Sequence, residues 1–424
     1  MRWFSRGILD VTHVRLLSGW LLLALLPSLS AQGAALSLDE ALLLAERNAP
    51  SLLAQSEKLS AAKSAAIPAG ELPDPRLSLG VQNVPIEGDE RWSTRRDNMS
   101  MQVVGLTQEM TNGDKRKARI ETAQAAIERA DAEAGVERLK VRNALAQAWI
   151  GAYTLQRKLA MFDDFYHENR LLEAAVRARL AGGGASAVDG VAPRQEAALL
   201  DEQKDDLLRQ AAQARAALRR WIGQDVPRTL SGDFPHWSID AAHSLQALHR
   251  HPELAAYGPM TREAEALVRE AVAEKKPDWS WEVDYQRRGR DFGDMMTLQL
   301  SFDLPLFSGT RQDPKIAARR AQVRQLEAER EALAREHEQQ LADDLAEHRR
   351  LQRALERSQG TLVPLAEEKV RLATAGYRAG KLQLDEVIGA RQQLVAARLR
   401  QIDLQGALAQ VAARLHFTYE EGRA

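Results

Sequence analysis

The residues best suited to chemistry in this 424-residue chain are its histidines. His243, His249 and His251 stand close together, and His337 and His348 are eleven residues apart, which sets both on one face of a helix. Imidazole pairs ligate zinc or copper. Neither group has a third and fourth ligand at suitable spacing in the sequence, so neither is read as a metal site. The Met99/Met101 and Met295/Met296 pairs read as wall residues of strands rather than as a copper relay. Gly182-Gly183-Gly184 lacks the lysine and the preceding strand of a phosphate cradle, and no nucleophile elbow or paired-carboxylate motif occurs. The absence of cysteine excludes disulfides, thiolate metal sites, cysteine nucleophiles and a lipid on an N-terminal cysteine. The reading is therefore of a non-enzyme with no catalytic residue, cofactor or metal. The 58 basic and 59 acidic residues nearly cancel, so no global charge argues for nucleic acid.

Aromatic residues make up only 5 %, while alanine, leucine, glutamine, glutamate and arginine dominate long stretches, a bias toward long helices or coiled coil. The N-terminus reads as a secretory signal. Arg2, Arg6 and Arg15 precede an apolar run from Leu16 to Leu29, and small residues follow at Ser28, Ser30, Ala31 and Gly33, placing cleavage near residues 30–33. The run holds about 14 residues, short of the ~20 that a spanning helix needs, although an uncleaved anchor is the other reading. No later segment is apolar for as long, so a mature chain that crosses a membrane must do so with a closed β-barrel.

The chain repeats itself at an offset of roughly 200 residues, the mark of an internal duplication. Leu38-Asp39-Glu40-Ala41-Leu42 followed by Asn48-Ala49-Pro50 matches Leu245-Gln246-Ala247-Leu248 followed by His251-Pro252. Arg179-Leu180-Ala181-Gly182-Gly183 and Arg194-Gln195 match Tyr377-Arg378-Ala379-Gly380 and Arg391-Gln392. The expected organisation is a signal at 1–33, a first helix–hairpin–helix repeat at 34–222, a turn-rich linker at 223–242, a second repeat at 243–418 and a tail at 419–424.

Each repeat contains two alternating runs with strand character. Trp279, Trp281, Val283 and Tyr285 oppose Ser280, Glu282, Asp284 and Gln286; Met296, Leu298, Leu300, Phe302, Leu304 and Leu306 oppose Thr297, Gln299, Ser301 and Asp303. In the first repeat, Leu77, Leu79 and Val81 form one set, and Met99, Met101 and Val103 another. The runs have the length of tilted membrane strands, though alternation alone equally describes soluble, half-buried hairpins. Long helices follow: Asp114–Leu180 holds about 67 residues without proline, roughly 100 Å, and Gln312–Ala375 is similar, with a kink expected at Pro364. The two shorter helices of each repeat, about 37–70 with 185–222 and 244–275 with 381–417, together match one long helix. The sequence thus predicts a long rod with a β end and a helix-hairpin end.

Four strands cannot close a barrel, because bacterial barrels need about eight or more and open edges are not tolerated in lipid. Two chains would supply eight strands and three would supply twelve, the latter wide enough for an aqueous lumen. In its duplication, its two hairpins and its tip patterns (Arg179-Leu180-x-x-Gly183 with Asp189, and Tyr377-x-x-Gly380 with Asp385 and Glu386), the chain resembles the TolC-like outer-membrane efflux proteins. The resemblance implies a mainly α fold with transmembrane β: a homotrimer whose α-helical barrel, or periplasmic tunnel, continues into a shared 12-stranded barrel in outer-membrane lipid. It further implies that a periplasmic adaptor and an inner-membrane pump are partners. The block Glu71-Leu72-Pro73-Asp74-Pro75, Asn83-Val84-Pro85 and Gln108-Glu109-Met110 resembles the heavy-metal efflux branch.

Within that resemblance, Tyr377, Asp385 and Glu386 are candidates for the periplasmic gate. Two acids per chain would make a ring of like charges favouring cations; acids at a helix start are also favoured simply by the helix dipole. Gly389 stands where the family often has a second acid. Arg179, Leu180, Gly183, Asp189, Arg378 and Gly380 are the candidate adaptor-contact tips. The competing reading is a periplasmic coiled-coil adaptor or scaffold that stays out of the membrane; two matched hairpins weigh against it.

Overall fold

The computed structural model describes residues 35–223 and 229–420; the expected signal peptide and most of the C-terminal tail lie outside them. The first repeat runs α1 (Leu38–Asn48), α2 (Pro50–Ala66), β1 (Arg76–Gln82), β2 (Met101–Met110), α3 (Gly113–Ala160), α4 (Phe162–Ala181) and α5 (Ala192–Ile222). The second runs α6 (Ala241–Leu248), α7 (Pro252–Ala273), β3 (Trp279–Arg287), β4 (Met295–Phe302), α8 (Gln312–Arg357), α9 (Val363–Arg378) and α10 (Leu384–Leu415).

Local chemistry sets the helix ends. Ser37 and Glu40 form a reciprocal capping box at α1. Asn112 accepts the Lys115 N–H at 2.9 Å to start α3, while its own N–H donates to Asp278 at 2.7 Å, joining the base of one hairpin to the base of the other. Lys115 completes this junction with an ion pair to Asp278 at 2.9 Å.

The long helices are less continuous than their sequences suggest. The expected Asp114–Leu180 helix is tightened at Met161, whose N–H bonds the carbonyl of Lys158 three residues back, so α3 passes directly into α4. Between α8 and α9 the chain widens into a π-turn at Ser358–Leu362. Pro364, at the start of α9, has no N–H to offer, and the widened turn absorbs the missing bond. The expected 37–70 helix breaks at Ala49, ahead of Pro50, and the expected 244–275 helix breaks ahead of Pro252, because a residue before proline is driven out of the helical region.

The 48-residue α3, about 72 Å long, packs against α1, α2, α5, α7 and α10. Ion pairs line its border with α7: Arg119–Glu270 at 2.8 Å, Arg269–Glu121 at 2.6 Å and Arg129–Glu263 at 2.9 Å. Partly exposed pairs of this kind contribute little stability each, so burial carries the packing. The main core is mostly alanine and aliphatic residues around a small aromatic stack. Trp149 and Tyr153 stack at 5.0 Å, Phe234 meets Tyr153 edge-on, and Leu145, Leu218, Ile222 and Phe417 close around them. The polar ends of those rings find partners: Trp149 donates to the Leu36 carbonyl and Tyr153 to the Gly232 carbonyl.

Candidate functional site

The two hairpins form one antiparallel sheet in the order β1-β2-β3-β4. The join between repeats is β2 against β3, with Leu106 opposite Val283 and Val104 opposite Tyr285. Directly opposed residues share a face. One face therefore carries the rows Leu79–Val104–Tyr285–Met296 and Leu77–Leu106–Val283–Leu298. The other carries Ser78–Gly105–Asp284–Thr297 and Arg76–Thr107–Glu282–Gln299. The apolar face is uncovered in the single chain: Leu79 is 73 % exposed, Leu298 69 % and Met296 75 %. Among the described residues, β1 and β4 have no strand beyond them. An exposed apolar face of this extent, opposite a polar one and ending in two open edges, suits lipid outside and water inside.

The register corrects the phase of one strand. Met99, Met101 and Val103 do not share the face of Leu77, Leu79 and Val81. Met101 lies opposite Gln82 and Val103 opposite Gly80, so the apolar face of β2 is carried by Val104, Leu106 and Met110. Adjacent apolar residues at Val103-Val104 permitted either phase, and only pairing with β1 and β3 chose one.

At the opposite end of the helices, the two turns fold alike. α4 closes with Gly183 at φ 71° and α9 with Gly380 at φ 70°, left-handed positions that glycine fills without strain. Tyr377 is buried among Leu172, Val176, Leu384 and Val387, so residues of both repeats share one tip core. Arg179 lies over the Tyr377 ring, 4.2 Å from its centre, and donates to the Tyr377 carbonyl at 2.6 Å and the Gly184 carbonyl at 2.9 Å. Leu180 packs on this core, and Asp189 accepts the Ser186 N–H at 2.7 Å, holding the turn before α5. Arg378 is exposed at the end of α9, and Asp385 and Glu386 are exposed in the first turn of α10.

The family model of the outer membrane efflux protein matches residues 41–224 and 244–418. The chain belongs to the outer membrane efflux protein family. It is 25 % identical over 386 residues to the cobalt-zinc-cadmium resistance protein CzcC of Cupriavidus metallidurans, covering 89 % of this chain and 88 % of that one. Its fold is that of solved outer-membrane channels. CusC superposes with a TM-score of 0.77 at 16 % identity, covering 89 % of this chain and 91 % of that one. VceC of Vibrio cholerae superposes with a TM-score of 0.74 at 20 % identity, covering 90 % and 95 %. The protein is an outer-membrane efflux channel subunit, and its four strands fit a shared barrel.

Two clusters of this efflux channel were not legible from spacing. Behind the tip, Arg391 of α10 pairs with Glu196 of α5 at 3.1 Å, and Asn169 of α4 donates to the same carboxylate at 2.8 Å. Glu196 is 4 % exposed, so this buried charge depends on partners drawn from both repeats. Arg391 stands out in the sequence only as the echo of Arg194.

The second cluster lies far from the tip. His251 caps α7, accepting the Glu253 N–H at 3.2 Å, and its ring meets that of His337 on α8, with centres 4.1 Å apart. His337 Nε2 lies 3.0 Å from Glu253 Oε2, and Lys140 of α3 holds the other oxygen at 2.7 Å. The His337 contact is the main reason the Glu253 carboxyl is pulled down to about 2. Burial, helped by His337, lowers His251 to about 4. The fold thus takes one histidine from each of the two sequence groups and leaves His243, His249 and His348 elsewhere.

Proposed function

We propose that this chain is one third of a homotrimeric exit duct: three four-stranded sheets close a twelve-stranded barrel in outer-membrane lipid, and the helices continue it as a periplasmic tunnel. The observation that carries this reading is the sheet itself, apolar on one face, polar on the other and open at β1 and β4. One such sheet cannot close, and twelve strands leave an aqueous lumen where eight would fill with side chains. Residues 1–33 direct export, 34–222 and 243–418 are the two repeats, and 223–242 and 419–424 are the linker and tail.

The duct is passive. A periplasmic adaptor docks on the tips through Arg179, Leu180, Gly183, Asp189, Arg378 and Gly380, and an inner-membrane pump delivers cargo. Tyr377, Asp385 and Glu386 form the gate, where acids from three chains favour cations. The resemblance to a cobalt-zinc-cadmium resistance protein supports heavy-metal cations as cargo.

The test is assembly and conductance. Detergent-extracted outer membrane should yield a trimer with β signal in circular dichroism that conducts ions in planar bilayers. A protein released by salt or alkaline washing as a lone protomer would reverse the reading. Deletion should lower growth on cobalt, zinc or cadmium; unchanged resistance to all three would remove metal as cargo.

A further inference from the structure

We propose that His251, Glu253 and His337 bind one divalent transition-metal cation of the zinc and cobalt class in each chain. The ligand atoms of the three residues all lie within 4.8 Å of one another. Zinc holds imidazole nitrogen and carboxylate oxygen at about 2.0–2.2 Å, so the set closes on an ion with side-chain shifts on the order of 1 Å. Two imidazoles and one carboxylate select nitrogen-seeking metals over calcium or magnesium.

The surroundings suit an ion with one or more waters. A cavity of about 270 Å³ opens beside the cluster, bordered by Asn143, Asp344 and Tyr419. That is room for several waters at roughly 30 Å³ each. The ligands come from rigid elements: His251 from the N-cap of α7, Glu253 from its first turn, and His337 from the interior of α8. An ion here would clamp the start of α7, the end remote from β3, to the interior of α8. Two features oppose loading. Lys140 holds one Glu253 oxygen, and the His251 Nδ1 is engaged by the Glu253 N–H. Lys140 is 60 % exposed in its side chain and free to swing into water. Coordination through Nε2 puts the ring proton on Nδ1, where it would face the Glu253 N–H across 3.2 Å, so the His251 ring must turn out of its cap on loading. The site stands apart from the tip, and it does not depend on the cargo being a metal.

The experiment uses the untagged full-length channel, purified in detergent and stripped with a chelator. Co2+ is followed by visible absorption, Zn2+ by calorimetry, and both by thermal unfolding. The wild type should take up one ion per chain and unfold at a higher temperature with metal. Losing a supporting partner of a ligand already lowers metal affinity about 10–100-fold, so His251→Ala, His337→Ala and Glu253→Gln should each cost at least tenfold. Lys140→Gln should tighten binding, and His348→Ala should leave it unchanged. Glu253→Gln preserves shape, so its loss of the metal-induced thermal shift stands even where a histidine variant fails to fold. No binding by the wild type, or equal binding by wild type and Glu253→Gln, would overturn the site.

Discussion

Arg179 and Tyr377, nearly 200 residues apart in the chain, meet face to face: the guanidinium lies 4.2 Å from the centre of the phenol ring and bonds the Tyr377 carbonyl at 2.6 Å. One residue ends the long helix of the first repeat and the other ends that of the second. The contact ties the two tips of a single chain together before any neighbour is present.

Removing that contact should loosen the tips. Charged hydrogen bonds and a cation–π contact together make Arg179→Ala cost about 1–2 kcal/mol locally. Trypsin cleavage at Arg378 and Lys381 should then rise by about tenfold. Arg179→Lys keeps the charge without the planar fork and should fall between. Equal cleavage in all three proteins would show that Arg179 does not hold the tip.

The Tyr377 hydroxyl is buried and meets no hydrogen-bond partner among the described residues. If that hydroxyl bonds to the neighbouring chain in the closed trimer, Tyr377→Phe should raise single-channel conductance while leaving the melting temperature close to wild type. Unchanged conductance would reduce Tyr377 to a packing residue.

The acids at the start of α10 make a different prediction. Asp385→Asn with Glu386→Gln should lower the preference for cations, read as a smaller reversal potential across a potassium chloride gradient. A selectivity equal to wild type would place the narrowest ring elsewhere.

The two faces of β4 can be tested with adjacent residues. Leu300→Arg puts a charge toward lipid and should cost about 2–4 kcal/mol near the bilayer midplane, reducing the yield of assembled channel. Gln299→Arg places the same charge on the polar face and should assemble normally. The reverse order would invert the sheet.

Burial also lowers His348 from its ordinary range. The unfolded imidazole therefore takes up a proton at a higher pH, near 6.5, than the folded one does. The folded state loses stability as pH falls through 6.5 and below, because the unfolded state binds more protons there. His348→Gln should flatten that part of the melting curve against pH; an identical slope in both proteins would place the titration on another group.

Much of the architecture is local in origin and can be read in one dimension. The two hairpins follow from alternation at a period of two. The helices follow from long stretches of alanine, leucine and charged residues, and the duplication from matched turns at Gly183 and Gly380. Open edges also follow from counting, because a strand needs a partner on each side and this chain offers four. The breaks at Ala49 and His251 fall where the sequence reads as continuous helix, ahead of Pro50 and Pro252; at Pro364 the sequence predicts a kink, and the structure has a π-turn just before it.

What the tertiary structure decided are the relations between segments that spacing cannot carry. The chain determines that β2 alternates, yet Val103 and Val104 are equally apolar, and only pairing with β1 and β3 set Val104 on the apolar face with Leu79 and Tyr285. The chain shows two groups of histidines, each short of ligands, and packing of α7 against α8 brought one from each together beside Glu253. Arg391 and Glu196 are likewise two charges among many until the tip helices bury them together. Periodicity is a property of neighbours in sequence, whereas a face, a ligand set or a buried ion pair exists only once distant helices and strands have excluded water between them.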